Sequence, residues 1–125
     1  MEYVSYEEFK KMDMRVGTIR EVTPVPETDK LLKCMVDFGE TEEIEGEGEE
    51  KILQPKLRQI VSGIHEFYPE YEKLVGKQVL YIVNLEPRMI KGIESQGMLM
   101  AVDGKDGTPV FLTPEVEVNS GTKVR

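Results

Sequence analysis

Four residues spaced two apart, Leu32, Cys34, Val36 and Phe38, constrain the fold more than any other feature of the chain. Side chains of an extended strand alternate between its faces, so this spacing predicts a strand over Leu31 to Phe38 with one continuous apolar face. Cys34 belongs to that face and reads as a small buried hydrophobe. As the only cysteine it can form no internal disulfide and no cysteine-rich zinc site.

Strand character recurs along most of the chain. Met14 to Val22 carries Val16, Thr18, Ile19 and Val22, with Gly17 predicting a bend. Leu57 to Ile64, Lys77 to Asn84, Met98 to Val102 and Pro109 to Leu112 supply further strands, the last two joined by a turn at Gly104 to Gly107. In Lys77 to Asn84, Val79, Tyr81 and Val83 alternate with Leu80 and Ile82, so both faces of that strand are expected to be covered. Helical signals are short. Ser5 and Glu8 have the spacing of a capping box before Tyr6 to Lys11, and Pro69 to Leu74 starts with proline and stops at Gly76.

Three strands, a short helix and further strands, with no βαβ rhythm, fit an all-β domain with short helices. The predicted fold is a five-stranded Greek-key barrel of the OB type, with extra C-terminal strands. At 125 residues the chain is long enough for one core, and residues 1–125 read as one domain. Within it, residues 39–51 are glutamate- and glycine-rich, with Ile44 the only apolar residue of Gly39 to Glu50, and read as an acidic, flexible hairpin insertion. No run of apolar residues is long enough to span a bilayer and the N-terminus has no leader pattern, so a cytoplasmic protein without membrane association is expected.

Net charge is −8, which opposes binding to nucleic acid unless the charge is unevenly distributed. It is uneven: Glu40 to Lys51 holds seven Glu and one Lys, leaving a net of −2 for the rest. Catalytic equipment is missing from the pattern. His65 is the only histidine, no nucleophile elbow or phosphate-binding loop occurs, and the glutamate cluster lacks the alternation of a calcium loop, so no catalytic residue, cofactor or metal is expected. Asn84 to Met98 instead suits recognition: Pro87, Gly92 and Gly97 set the backbone course, Arg88 and Lys91 offer charge, and Asn84 and Ser95 offer uncharged hydrogen bonds.

Several segments, in order, resemble the tRNA-binding domain family, which occurs as free-standing proteins, as C-terminal appendages of methionyl-tRNA synthetases and in cytokine precursors. They are Asp13-Met14-Arg15-Val16-Gly17-Thr18-Ile19, Asp29-Lys30-Leu31, Val36-Asp37-Phe38-Gly39, Arg58-Gln59-Ile60-Val61-Ser62-Gly63-Ile64, Leu74-Val75-Gly76-Lys77, Asn84-Leu85-Glu86-Pro87-Arg88 and Gly92-Ile93-Glu94-Ser95-Gln96-Gly97-Met98. The resemblance implies an OB barrel that binds tRNA without catalysis, often as a homodimer, and assists an aminoacyl-tRNA synthetase, the methionyl enzyme first.

By position it implies that Lys30, Arg88 and Lys91 meet phosphates, Asn84 and Ser95 bond sugar or base, Met98 packs against a base, and Asp29 organises its loop. Where the family usually has His-Pro, this chain has Val25-Pro26. The acidic insertion is expected to point away from the RNA face or stay mobile, so deleting Thr41 to Glu50 should leave affinity unchanged or improved. Two alternatives are a chaperone-like, peptide-binding protein with the same barrel, and a scaffold module that docks a partner. The apolar strand Val79 to Val83 also fits a docking surface or homodimer seam.

Overall fold

The computed structural model describes residues 1–125. A capped helix α1 (Tyr6–Lys10) precedes strands β1 (Met14–Pro24), β2 (Leu32–Glu45) and β3 (Lys51–Ser62), a 3₁₀ turn (Tyr71–Leu74) and β4 (Gln78–Ile82). Then follow β5 (Arg88–Ile90), β6 (Ile93–Ser95), β7 (Met98–Leu99), β8 (Ala101–Asp103) and β9 (Pro109–Phe111). The main sheet runs β3-β2-β1-β4-β7 and every pairing in it is antiparallel. Gln96 donates its backbone N–H to the carbonyl of Gln59 on β3 at 2.8 Å, closing the curled sheet toward the five-stranded OB barrel.

The alternating face of β2 is the heart of the core. Leu32, Cys34, Val36 and Phe38 are buried together with Ile19, Ile60, Val79 and Tyr81. Phe38 meets Tyr81 edge to face, with ring centroids 5.3 Å apart. Burial pushes the Cys34 thiol up to about 11, which keeps it protonated and unreactive at neutral pH.

Curvature comes from two register shifts. β1 holds an extra residue, Arg20, between Ile19 and Glu21, and this bulge bends the strand three residues beyond the expected position. Gly17 has a different duty: any Cβ there would collide with the side chains of Val36 and Phe38, so it permits close approach of the core to β1. The second shift lies in β2 between Asp37 and Thr41. Beyond it the predicted insertion is strand-paired, with Thr41 to Glu45 opposite Lys51 to Pro55, so β2 and β3 continue as a two-stranded ribbon ending in a tip at residues 46–50.

Two further expectations change. The short helix predicted over Pro69 to Leu74 is a single 3₁₀ turn. β4 is enclosed within the chain: Val79 and Tyr81 are fully buried, Ile82 is buried, β1 and β7 flank it, and Leu80 exchanges backbone bonds with Met100 and Leu112. It therefore offers no docking or homodimer seam. The tail returns to β1, where Thr122 accepts from Val16 and Val124 donates to Met14.

Candidate nucleic-acid interface

Two connections matter most: Val25 to Leu31, between the first and second barrel strands, and Val83 to Gly97, between the fourth and fifth. In the longer one, β5 and β6 form a hairpin with Arg88 opposite Ser95 and Ile90 opposite Ile93. Its two-residue turn is Lys91-Gly92, with φ of 52° and 81°. Positive φ at both positions is the geometry that matches the twist of a tight hairpin, and Gly92 adopts it without the steric cost a side chain brings. This turn lifts Lys91 to the tip.

Arg88, Lys91 and Lys30 are all exposed, and none belongs to the six ion pairs of the chain, which engage Lys10, Arg15, Arg20, Lys51, Arg58 and Lys73. An unpaired surface cation is available to a phosphate without first breaking an internal bond. Between the hairpin and the end of β3 runs a groove of about 360 Å³, lined by residues that include Ile64, Leu85, Arg88, Ile90, Ser95 and Met98. The loop that carries Lys30 is fastened just past the end of β3, where the Lys30 carbonyl accepts the His65 N–H at 3.0 Å, one residue beyond Ile64 of the groove wall. Met98, 47% exposed at the start of β7, lines the groove.

The other expected contacts have inward duties. Ser95 is only 5% exposed: its Oγ accepts from the Val61 N–H at 3.0 Å and donates to the Gly97 carbonyl at 3.2 Å. Asn84 Oδ1 accepts from the Asp13 N–H at 3.0 Å, and Nδ2 donates to the Lys11 carbonyl at 2.6 Å, fastening the segment after α1 to the end of β4. In the shorter loop the hydrogen-bonding organiser is Thr28, whose Oγ1 donates to the Val25 carbonyl at 3.1 Å, while Asp29 is exposed. Val25, of the Val25-Pro26 pair, is buried.

Arg58 was not singled out by the sequence as a site residue, yet it borders this region. It donates to both carboxylate oxygens of Glu40, at 2.7 and 3.2 Å, and to the Val83 carbonyl at 2.8 Å, with its guanidinium over the Phe38 ring. The guanidinium hydrogen bond holds the Glu40 carboxyl below its ordinary range, and Arg15 does the same for Asp13.

The chain is of the OB-barrel class, whose members bind oligonucleotides and oligosaccharides at the strand 2–3 face and the first and fourth interstrand connections, and here those two connections carry the exposed cations. Residues 14–123 match the family model described as "Putative tRNA binding domain", and the chain belongs to that family. It is similar to the methionine–tRNA ligase of Parabacteroides distasonis, 43% identical over 99% of this chain and 16% of that protein. It is also similar to that of Thermococcus kodakarensis, 42% identical over 100% of this chain and 15% of that protein. The chain thus spans about a sixth of the length of these curated relatives. Among solved structures it resembles a MetRS-related protein from Pyrococcus horikoshii (TM-score 0.78, 35% identity, 100% of both chains). It also resembles the chaperone CsaA of Bacillus anthracis (TM-score 0.74, 25% identity, 99% of this chain and 100% of that one).

Proposed function

We propose that this chain binds tRNA without catalysing a reaction and acts in the cytoplasm as an accessory to an aminoacyl-tRNA synthetase, with the methionyl enzyme as its partner. The observation that carries this reading is the set of exposed, unpaired cations Lys30, Arg88 and Lys91 on the two connections beside the groove. They meet phosphates, and Met98 packs against a base. Asn84 and Ser95 contribute through the backbone they hold.

A homodimer is part of the proposal. Tyr3, Val4, Tyr6, Phe9 and Met12 are all exposed and α1 buries none of its residues, so a second copy is the natural cover for this apolar end. A mass measurement at micromolar concentration that finds only monomer removes it.

A second reading, binding of unfolded peptide, draws on the groove, whose apolar walls are aliphatic and contain no aromatic platform for stacking bases. Titration with bulk tRNA and with an unfolded apolar peptide separates the two. Saturable tRNA binding at low salt with no peptide competition supports the RNA reading, whereas peptide binding alone replaces it.

A further inference from the structure

The segment that carries Arg88 and Lys91 leaves the barrel at Val83 and returns at Ser95, and both points are fastened to β3. Arg58 holds the departure through the Val83 carbonyl. At the return, two side chains stand in for strand backbone. The N–H groups of Gln59 and Val61, alternate residues on the edge of β3 away from β2, donate to Gln96 Oε1 at 3.1 Å and to Ser95 Oγ at 3.0 Å. Gln59 Nε2 donates to the Glu94 carbonyl at 2.8 Å, and Gln96 Nε2 to the Glu94 carboxylate at 3.1 Å.

Two N–H groups on the same edge of one strand are thus satisfied by side chains from the end of the hairpin. We propose that Ser95 and Gln96 are positioning residues of the RNA site: they form a side-chain ladder on β3 that fixes the hairpin presenting Arg88 and Lys91, and they do not touch RNA themselves. The assignment rests on the tRNA-binding reading. Losing either acceptor leaves a β3 amide unpaired and frees the hairpin to turn its cations away from phosphates. Affinity then falls although every cation is still present.

The test measures tRNA affinity and its salt dependence for wild type, Ser95→Ala, Gln96→Ala, Arg88→Ala/Lys91→Ala, and that double variant combined with each single one. The expected loss for Ser95→Ala is roughly ten-fold, with a shallower salt slope approaching that of the Arg88→Ala/Lys91→Ala protein. Mere partial unfolding would reduce the active fraction and leave the slope alone. In the background lacking both cations, Ser95→Ala and Gln96→Ala should cost almost nothing, because coupled residues are not additive. Equal losses in both backgrounds would mean direct RNA contact and overturn the assignment. Gln96, only half-buried, keeps the test available if Ser95→Ala does not fold.

Amide exchange of free protein decides the ladder independently of RNA. Val61 N–H should be protected in wild type and lose protection in Ser95→Ala, and fast exchange in wild type would overturn the ladder alone. Failure of wild type to bind tRNA would instead overturn the parent reading, and this assignment with it.

Discussion

Two hairpins of this chain, the β2–β3 ribbon beyond Asp37 and the β5–β6 hairpin, differ in charge and in anchorage. The ribbon carries most of the net negative charge and extends from a register shift in β2, with Ile44 facing Ile52 as its main apolar pair. The β5–β6 hairpin carries two unpaired cations and is tied to β3 on both sides. A recognition element needs its charges held in one geometry, while a repulsive element needs only to be present. The molecule assigns tight anchorage to the cations and leaves the carboxylates on a solvated projection.

Arg58→Ala should give the largest effect on this contrast, since it unties the hairpin's departure and strips Glu40 of its partner. Loss of a charged, hydrogen-bonded group of this kind costs about 2 kcal/mol of stability, measurable by denaturant unfolding, and tRNA affinity should fall roughly ten-fold. Unchanged stability would show that the tether is not structural.

Gly92→Val places a β-branched residue at a φ of 81° and should cost about 1–2 kcal/mol. Affinity should drop more than it does for Gly48→Val, where the added Cβ meets nothing and φ is 71° on the ribbon. Equal losses at the two tips would erase the distinction between the hairpins.

Acid should loosen the Arg58 tether. The Glu40 carboxyl is depressed in the folded protein, chiefly by its hydrogen bond to Arg58, so its stabilising contribution is complete above the ordinary carboxylate value of 4.5. That contribution disappears as pH falls through the lower folded value. Thermal unfolding followed across this range should show a steeper acid decline for wild type than for Glu40→Gln.

The smallest effect belongs to the ribbon's charges. Deleting Thr41 to Glu50 would strip Lys51 to Pro55 of β3 of their partners, so converting Glu42, Glu43, Glu45, Glu47, Glu49 and Glu50 to Gln is the cleaner form of that test. tRNA affinity should stay level or rise by a few-fold. A large loss would place the ribbon in the binding site.

Much of the barrel was legible because a half-buried strand writes its face into the sequence every second residue, as in Leu32 to Phe38. The ribbon was not legible as strand, because Glu42, Glu43 and Glu45 are exposed and their pairing rests on backbone bonds, the Ile44–Ile52 pair and the exposed side-chain contacts Gln54–Glu42 and Lys51–Glu43, none of which leaves an alternating apolar face in the sequence. In the sequence, Gly17 fits a bend of β1 as well as a close approach, and only the positions of Val36 and Phe38 in space separate the two.

Among the site residues, exposure of Lys30, Arg88 and Lys91 could be anticipated from charge and loop context. The inward duties of Ser95 and Asn84 could not. Their partners Val61 and Asp13 lie 34 and 71 residues away, and the same polar side chains serve equally well on a surface. Gln59 and Gln96 were hidden for the same reason, although both sit inside the segments that carry the family resemblance.

The most direct test of tRNA binding through these cations is the dependence of affinity on salt, measured with bulk tRNA for wild type and for Lys30→Ala/Arg88→Ala/Lys91→Ala. Wild-type affinity should fall steeply as salt rises, and the triple variant should bind at least roughly a hundred-fold more weakly at low salt, with a log–log slope shallower by about 2 to 3. Identical slopes for the two proteins, or no wild-type binding at low salt, would contradict tRNA binding through these cations.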